Sequence, residues 1–164
     1  MPLFAQDILP LRERATLIDQ IQKDRIENLL PQLMEEQDID LWVLITREYN
    51  EDPVVKTLLP PTWLNARRRT ILVFSKTKDG IDPVAITRYN FGNNIRSIWN
   101  KEEQPDQWKA LADYIVSQNP KKIGVNISEH YGIADGLVKT DYDGMMQVLP
   151  EKFKKRVVSA ETLA

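Results

Sequence analysis

The chain has 164 residues, of which 42% are hydrophobic, 28% are charged and only 6 are glycine, and its formal net charge is −2. These values are typical of one folded globular domain; they exclude a disordered or fibrous chain and disfavour nucleic acid as a partner, because nucleic-acid binders need a basic surface. The sequence has no cysteine, which excludes disulfides and thiolate chemistry, and no apolar run near the roughly 20 residues that span a membrane.

The first residues leave the cellular compartment open. Residues 1–8 are too short for a complete signal peptide, although Leu3-Phe4-Ala5-Gln6 fits the remnant of an export cleavage site with a small residue before the cut. We expect a cytoplasmic protein, with a periplasmic or secreted location as the alternative.

The first periodic segment predicts a long helix that leads into a buried strand. Its apolar positions follow helical spacing, with Leu17, Ile18, Ile21, Ile26, Leu29, Leu30, Leu33 and Met34. Pro31 lies inside this segment and removes a backbone donor, so we expect a kink there. The apolar run at residues 41–45 then has the length of a strand that is buried on both faces, and this order favours an α/β architecture.

The middle of the chain predicts a surface loop, a β-hairpin and a further short strand. Residues 50–61 contain three prolines and predict a loop with one helical turn near residues 54–59. Residues 71–74 and 83–87 have strand composition, and Lys78-Asp79-Gly80 between them is turn sequence. Residues 95–99 predict another short strand.

The second half predicts alternating helices and strands. A helix begins at Pro105 and stops at Asn119-Pro120, and residues 122–127 then alternate like a strand. Residues 134–149 look helical with glycine interruptions, and residues 156–159 look like a closing strand. The order of elements predicts a single α/β domain over residues 1–164.

The sequence contains no recognisable catalytic or metal-binding set. A hydrolytic metal centre needs several Asp, Glu or His side chains from different elements, and we interpret the one histidine, His130, as a loop residue rather than a general base. The acids Asp135, Asp141 and Asp143 precede Gly144, but their register does not fit a calcium loop, so we interpret them as a solvated helix face. We therefore predict no catalytic and no metal-binding residue in this chain.

Two polar segments contain candidate binding groups. Arg67-Arg68-Arg69 presents guanidinium groups that can hold a phosphate or a carboxylate, although we favour a charge run that pairs with neighbouring acids. Thr46-Arg47-Glu48-Tyr49-Asn50 follows the first strand, where sheets of this class present binding groups. For this second segment, a functional role and a purely structural role are equally supported.

Four segments, in their order and spacing, carry a family resemblance. They are Leu33-Met34-Glu35-Glu36-Gln37-Asp38-Ile39-Asp40, Trp42-Val43-Leu44-Ile45-Thr46-Arg47-Glu48-Tyr49-Asn50, Lys122-Ile123-Gly124-Val125-Asn126 and Val157-Val158-Ser159-Ala160-Glu161. They resemble four parts of the N-terminal domain of the creatinase, prolidase and Xaa-Pro aminopeptidase family. In order, these are the end of the first helix, the first strand with the polar turn after it, a later strand, and the segment that leads into the catalytic domain. The resemblance implies a mixed sheet of about six strands with helices on both faces, of the ribonuclease-H-like kind.

The resemblance also implies a function for the parent protein. In this family a C-terminal "pita-bread" domain holds two divalent ions, often manganese, and cleaves the peptide bond before proline, whereas a creatinase-like parent would cleave a non-peptide carbon–nitrogen bond. We expect that catalytic domain to be absent from this chain and the chain alone to be inactive. The N-terminal domains support homodimers or higher homo-oligomers and wall the entrance for the peptide substrate, a role that by analogy would fall to Arg47, Tyr49, Asn50 or Trp63.

The alternative hypothesis is a stand-alone α/β binding module. It would recognise a small anionic ligand through Arg67-Arg68-Arg69 or through the turn after the first strand.

Overall fold

Helices and strands alternate along residues 8–164, which are the residues that the computed structural model describes. The segment Leu3-Phe4-Ala5-Gln6, which fits the remnant of an export cleavage site, lies outside the described residues. The helices are α1 (Leu11–Asp24), α2 (Leu30–Glu36), α3 (Pro53–Thr57), α4 (Gln107–Gln118), α5 (Lys139–Val148) and α6 (Glu151–Lys154). The strands are β1 (Leu41–Arg47), β2 (Arg69–Thr77), β3 (Gly80–Ala85), β4 (Arg96–Ser97), β5 (Ile123–Val125) and β6 (Val157–Ser159).

The six strands form one mixed sheet in the order β4-β3-β2-β1-β5-β6. The pairs β1–β2 and β2–β3 are antiparallel, whereas β3–β4, β1–β5 and β5–β6 are parallel. At the centre of the sheet, Val43 lies opposite Val73 on one side and Val125 on the other. The predicted α/β class and the predicted mixed sheet of six strands are confirmed.

Helices cover both faces of this sheet because alternate residues of each strand point to opposite faces. Trp42 and Leu44 of β1 pack in the core with residues of α2 and α3, and Val43 and Ile45 pack in a second core with residues of α4, α5 and α6. The five residues at 41–45 are all at most 3% exposed. The prediction of a strand that is buried on both faces is therefore confirmed.

The first helical segment contains one irregular turn. A π-helical turn at Arg25–Leu29 joins α1 to α2, and the N–H of Leu30 donates to the carbonyl of Arg25. Pro31 follows in the first turn of α2. The chain thus departs from α-helical geometry just before Pro31, because a proline has no backbone donor and its ring crowds the preceding turn. Within residues 8–164, none of the helices combines the length and the apolar character of a membrane span.

The predicted hairpin is present with a tight turn. Thr77 pairs with Gly80, so Lys78 and Asp79 form the two-residue loop. Gly80 has a φ of 126°, which lies in the region that favours glycine. The second strand of the hairpin begins at this glycine, three residues earlier than predicted.

The helix predicted at residues 134–149 is shorter in the structure. A 3₁₀ turn at Gly132–Ala134 is followed by irregular backbone, and α5 begins only at Lys139. Gly136 lies in this irregular stretch, where a Cβ atom on it would lie 2.1 Å from Oδ2 of Asp52. The close approach of Gly136 to a buried carboxylate holds the chain outside a helix here. The short α6 was not predicted.

Candidate functional site

The C-terminal end of β1 carries an arginine that is anchored to a distant helix. Nε and Nη2 of Arg47 each donate to a carboxylate oxygen of Asp141, and both N–O distances are 2.7 Å. Nη1 of Arg69 lies 3.9 Å from the same carboxylate. The hydrogen bonds to Asp141 raise the pKa of Arg47 above its usual value. The pair therefore holds Arg47 in one orientation at the edge of the sheet.

The burial of Asp141 corrects the prediction of a solvated helix face. The side chain of Asp141 is fully buried, whereas Asp143 is exposed and pairs with Lys139. Asp135 is also exposed and accepts a hydrogen bond from the backbone N–H of Ser128. Positions two residues apart on a helix lie on nearly opposite sides, so Asp141 faces the sheet while Asp143 faces solvent.

The turn after β1 presents Tyr49 to solvent in an unusual backbone conformation. Tyr49 is 86% exposed and has a φ of 69°. The N–H of Asn50 donates to the carbonyl of Arg47 at 3.1 Å, which closes the turn, and Asn50 is exposed as well. A bulky residue with a positive φ is uncommon, and such strain is typical of binding and catalytic sites.

Trp63 lies in a separate aromatic cluster. Its ring centroid is 5.0 Å from that of Phe91 and 5.5 Å from that of Tyr89, both in edge-on geometry. The guanidinium carbon of Arg67 lies 4.4 Å from the Trp63 ring centroid. Of the four candidate residues, the structure brings Arg47, Tyr49 and Asn50 together in one turn and places Trp63 in a half-buried cluster with other partners.

The arginine run that leads into β2 pairs with an acid, as predicted, only at Arg69 among the described residues. Within residues 8–164, only the side chain of Arg69 in this run forms an ion pair, with Asp141, and burial lowers the pKa of Arg69. Among residues 8–164, the side chains of Arg67 and Arg68 form no ion pair. The prediction is wrong for these two residues, which precede the strand. Arg67 lies beside the ring of Trp63, and Arg68 lines an open depression. That depression is lined by Arg47, Glu48, Tyr49, Arg68 and Arg69.

A buried polar network lies next to the end of β1 and was not predicted. Oδ1 of Asp52 accepts the N–H groups of Val54 and Val55 and so caps α3. Oδ2 of Asp52 accepts from Asn126 at 3.0 Å, and Oδ1 of Asn126 accepts from Nε1 of Trp42 at 2.9 Å. Burial raises the pKa of Asp52, and these hydrogen bonds oppose the increase. The sequence signal for the cap is an aspartate directly before a proline.

His130 lies in the exposed segment after β5. Its backbone N–H donates to Oγ of Ser128 at 3.0 Å, and its ring centroid is 6.4 Å from that of Tyr131. In the part of the chain that the structure describes, no three His, Cys, Asp or Glu side chains lie close enough together to hold a metal ion.

Comparison with known proteins identifies one similar solved structure. It is an Xaa-Pro dipeptidase from Bacillus anthracis, with a TM-score of 0.48 and 12% sequence identity, and the match covers 89% of this chain. The match covers 33% of the dipeptidase chain, so this chain spans about a third of its length. No protein-family model matches the chain, and no curated protein matches it either.

Proposed function

We propose that this chain is the non-catalytic N-terminal domain of a metal-dependent Xaa-Pro aminopeptidase or prolidase-like peptidase. The observation that carries the proposal is the position of the segments that resemble this family. Three of these four segments contain β1, β5 and β6, which lie side by side and parallel in the sheet. The fourth leads from α2 directly into β1. Segments dispersed over the chain therefore form one continuous half of the domain.

The turn after β1 is the part of the domain that we assign to the substrate entrance. The carboxyl ends of parallel strands meet at one edge of a sheet, and groups at that edge are available to a ligand. Tyr49 and Asn50 are exposed there, and Arg47 is held beside them by Asp141. These groups can contact a peptide through a ring, an amide and a guanidinium. Trp63 would contribute through its own aromatic cluster.

In this proposal, the partner of this domain is a C-terminal catalytic domain, and that domain carries out the hydrolysis. Residues 8–164 contain no set of three side chains that fits a metal ion. The two divalent ions, for which manganese is the expected metal, would in this proposal be bound by residues of that catalytic domain. The role of this chain is to position and to gate the peptide substrate.

A homo-oligomer is the second part of the proposal, and α1 offers a surface for it. Of the residues of α1, only Gln22 is buried. Leu17, Ile18 and Ile21 of this helix are 44%, 41% and 42% exposed. Exposed apolar residues grouped on one helix are typical of contact surfaces. We expect Ile18→Asp to convert an oligomer into monomers in light scattering, and unchanged assembly would contradict the assignment of this surface.

The main test is hydrolysis of a panel of Xaa-Pro peptides with added manganese. It compares this 164-residue chain with the same chain extended to the natural stop codon of its gene. We expect activity only in the extended protein. Activity in the short chain would contradict the proposal, and inactivity in both would favour a binding module.

The entrance assignment has its own test in the extended protein. Tyr49→Ala should raise the KM for Xaa-Pro peptides several-fold, because it removes an exposed ring from the entrance. Val116→Ala is the control, since Val116 is an exposed apolar residue, at 43%, on α4, whose C-terminal end leads to the opposite edge of the sheet at the start of β5. Equal effects of the two substitutions would contradict the role of Tyr49.

A further inference from the structure

We infer that a cavity of about 260 Å³ at the start of β2 binds a small organic molecule with at least two negative charges, carried by phosphate or carboxylate groups. The residues that line it include Arg68, Arg69, Arg88 and Lys101, and none of the lining residues is acidic. The inference is independent of the peptidase proposal, because every residue that it needs lies in this chain.

Within residues 8–164, three of the four cationic groups of this cavity lack a partner of opposite charge, and the fourth, Arg69, lies 3.9 Å from the carboxylate of Asp141. Among the described residues, the side chains of Arg68, Arg88 and Lys101 form neither an ion pair nor a hydrogen bond, and all three residues are exposed. Glu102 and Glu103 are neighbours of Lys101 in sequence but do not line the cavity. Positive charges grouped in this way repel each other. A multivalent anion bound between them would attract each of them and so offset their mutual repulsion.

Arg69 is oriented before any ligand binds. Its Nε donates to Oε1 of Gln107 at 2.9 Å, and Nε2 of Gln107 donates back to the carbonyl of Arg69 at 3.2 Å. Nε2 of Gln107 also donates to the carbonyl of Ile86 at 2.6 Å, which ties it to the end of β3. The guanidinium carbon of Arg69 lies 4.1 Å from the ring centroid of Trp108. An arginine held in this way loses little conformational entropy when it binds an anion.

Arg68 has a strained backbone conformation. Its φ of 47° lies in the left-handed region, which costs a residue with a side chain about 1 kcal/mol. Two hydrogen bonds with Glu48 hold it there: the carbonyl of Arg68 accepts from the N–H of Glu48 at 2.7 Å, and its own N–H donates to Oε2 of Glu48 at 3.2 Å. Glycine or asparagine would adopt this conformation more easily, and strain of this kind is typical of binding sites.

Two aromatic residues indicate that the ligand has an apolar part. Tyr89 and Trp99 line the cavity, and their polar atoms already have partners. The hydroxyl of Tyr89 donates to the carbonyl of Arg67 at 3.1 Å, and Nε1 of Trp99 donates to the carbonyl of Gln104 at 2.6 Å. What the two rings offer a ligand is therefore apolar surface. This combination of cations and rings fits an anion on a planar organic group better than an inorganic ion.

The test is calorimetric titration of the 164-residue chain at constant ionic strength with three probes. Adenosine monophosphate carries a phosphate on a ring system, benzene tricarboxylate carries carboxylates on a ring, and inorganic phosphate has no ring. We expect at least one of the two ring-bearing anions to bind more tightly than inorganic phosphate. The tighter of the two identifies the anionic group that the site prefers.

The double variant Arg88→Ala/Lys101→Ala should weaken that binding roughly tenfold or more, because two charge-assisted contacts are lost. Both residues are exposed, and among the described residues neither side chain forms an ion pair or a hydrogen bond, so the variant should keep its melting temperature. The control Arg12→Ala/Lys155→Ala removes the same charge from exposed sites outside the cavity and should change the affinity less than about twofold. Absence of binding, equal loss in the control, or full affinity in the first variant would each overturn the inference.

Discussion

Arg47 and Asp141 form a bidentate ion pair that joins the end of β1 to α5 across 94 residues of sequence. The two partners differ in their access to water. The side chain of Asp141 is fully buried, whereas that of Arg47 is 43% exposed. If Arg47 were removed, Arg69 at 3.9 Å would be the only charged partner of the buried Asp141 carboxylate among the described residues. If Asp141 were removed, water could hydrate the partly exposed guanidinium of Arg47.

The first prediction follows from this difference between the partners. Arg47→Ala should lower the free energy of unfolding by about 3 kcal/mol, because it leaves a buried charge without its main partner. Asp141→Asn should cost less, about 1–2 kcal/mol, because the amide keeps the shape and one acceptor. Urea unfolding measures both values. The control Asp143→Asn removes an exposed carboxylate from the same helix and should change stability by less than about 0.5 kcal/mol. A larger loss for Asp141→Asn than for Arg47→Ala would contradict the argument.

The second prediction concerns two nearby glycines. Gly136→Ala would place a Cβ atom 2.1 Å from Oδ2 of Asp52, which is buried and cannot move without loss of its hydrogen bonds. We expect a loss of about 3 kcal/mol or failure to fold. Gly132→Ala meets nothing within 4 Å and should be nearly neutral. Thermal melts of the two variants test this, and similar melting temperatures would contradict the close packing around Asp52.

The third prediction uses two aspartates whose pKa values move in opposite directions. Burial raises the pKa of Asp52 above its usual 3.8, whereas the hydrogen bond and the charge of Lys122 lower the pKa of Asp38. The folded state therefore holds the Asp52 proton more tightly than the unfolded chain does, so the stability that Asp52 contributes falls as the pH rises from 3.8 through its folded pKa. The contribution of Asp38 is present above 3.8 and is lost as the pH falls through its lowered pKa.

Stability measured against pH separates these two effects. The difference in unfolding free energy between the parent protein and Asp52→Asn should decrease as the pH rises from about 3 to about 7. For Asp38→Asn the same difference should increase as the pH rises through the acidic range. Each variant serves as the control for the other, and slopes of the same sign would show that at least one of the two shifts is absent.

The fourth prediction tests how much the aromatic cluster around Trp63 contributes to the free energy of unfolding. Trp63→Ala removes the ring that contacts Tyr89, Phe91 and Arg67, so it should cost about 2–3 kcal/mol even though Trp63 is only half-buried. Arg67→Ala should cost less, about 0.5–1 kcal/mol, since it removes only a cation above the ring. Denaturant melts measure both changes. An Arg67→Ala variant that is less stable than Trp63→Ala would contradict this order.

Local chemistry was sufficient to predict most of the fold. The run at residues 41–45, the turn at Lys78-Asp79 and the stop at Asn119-Pro120 each act through neighbours in the chain, and the structure contains all three. Residues 134–138 are one exception. Their helical composition is overridden by the approach of Gly136 to Asp52, a contact between segments far apart in sequence.

The candidate site was predicted only in part for the same reason. The position of Arg47, Tyr49 and Asn50 at a strand end follows from the apolar run before them, and the sequence by itself determined it. Only the tertiary structure decided that Asp141 is buried against Arg47 and that Arg68 shares a cavity with Arg88 and Lys101. Hydrophobic period and turn chemistry depend on residues a few positions apart, and so they can be read along the chain. The partner of a charge depends on which strand and which helix face lie beside it after folding, and that is set by the packing of the whole domain.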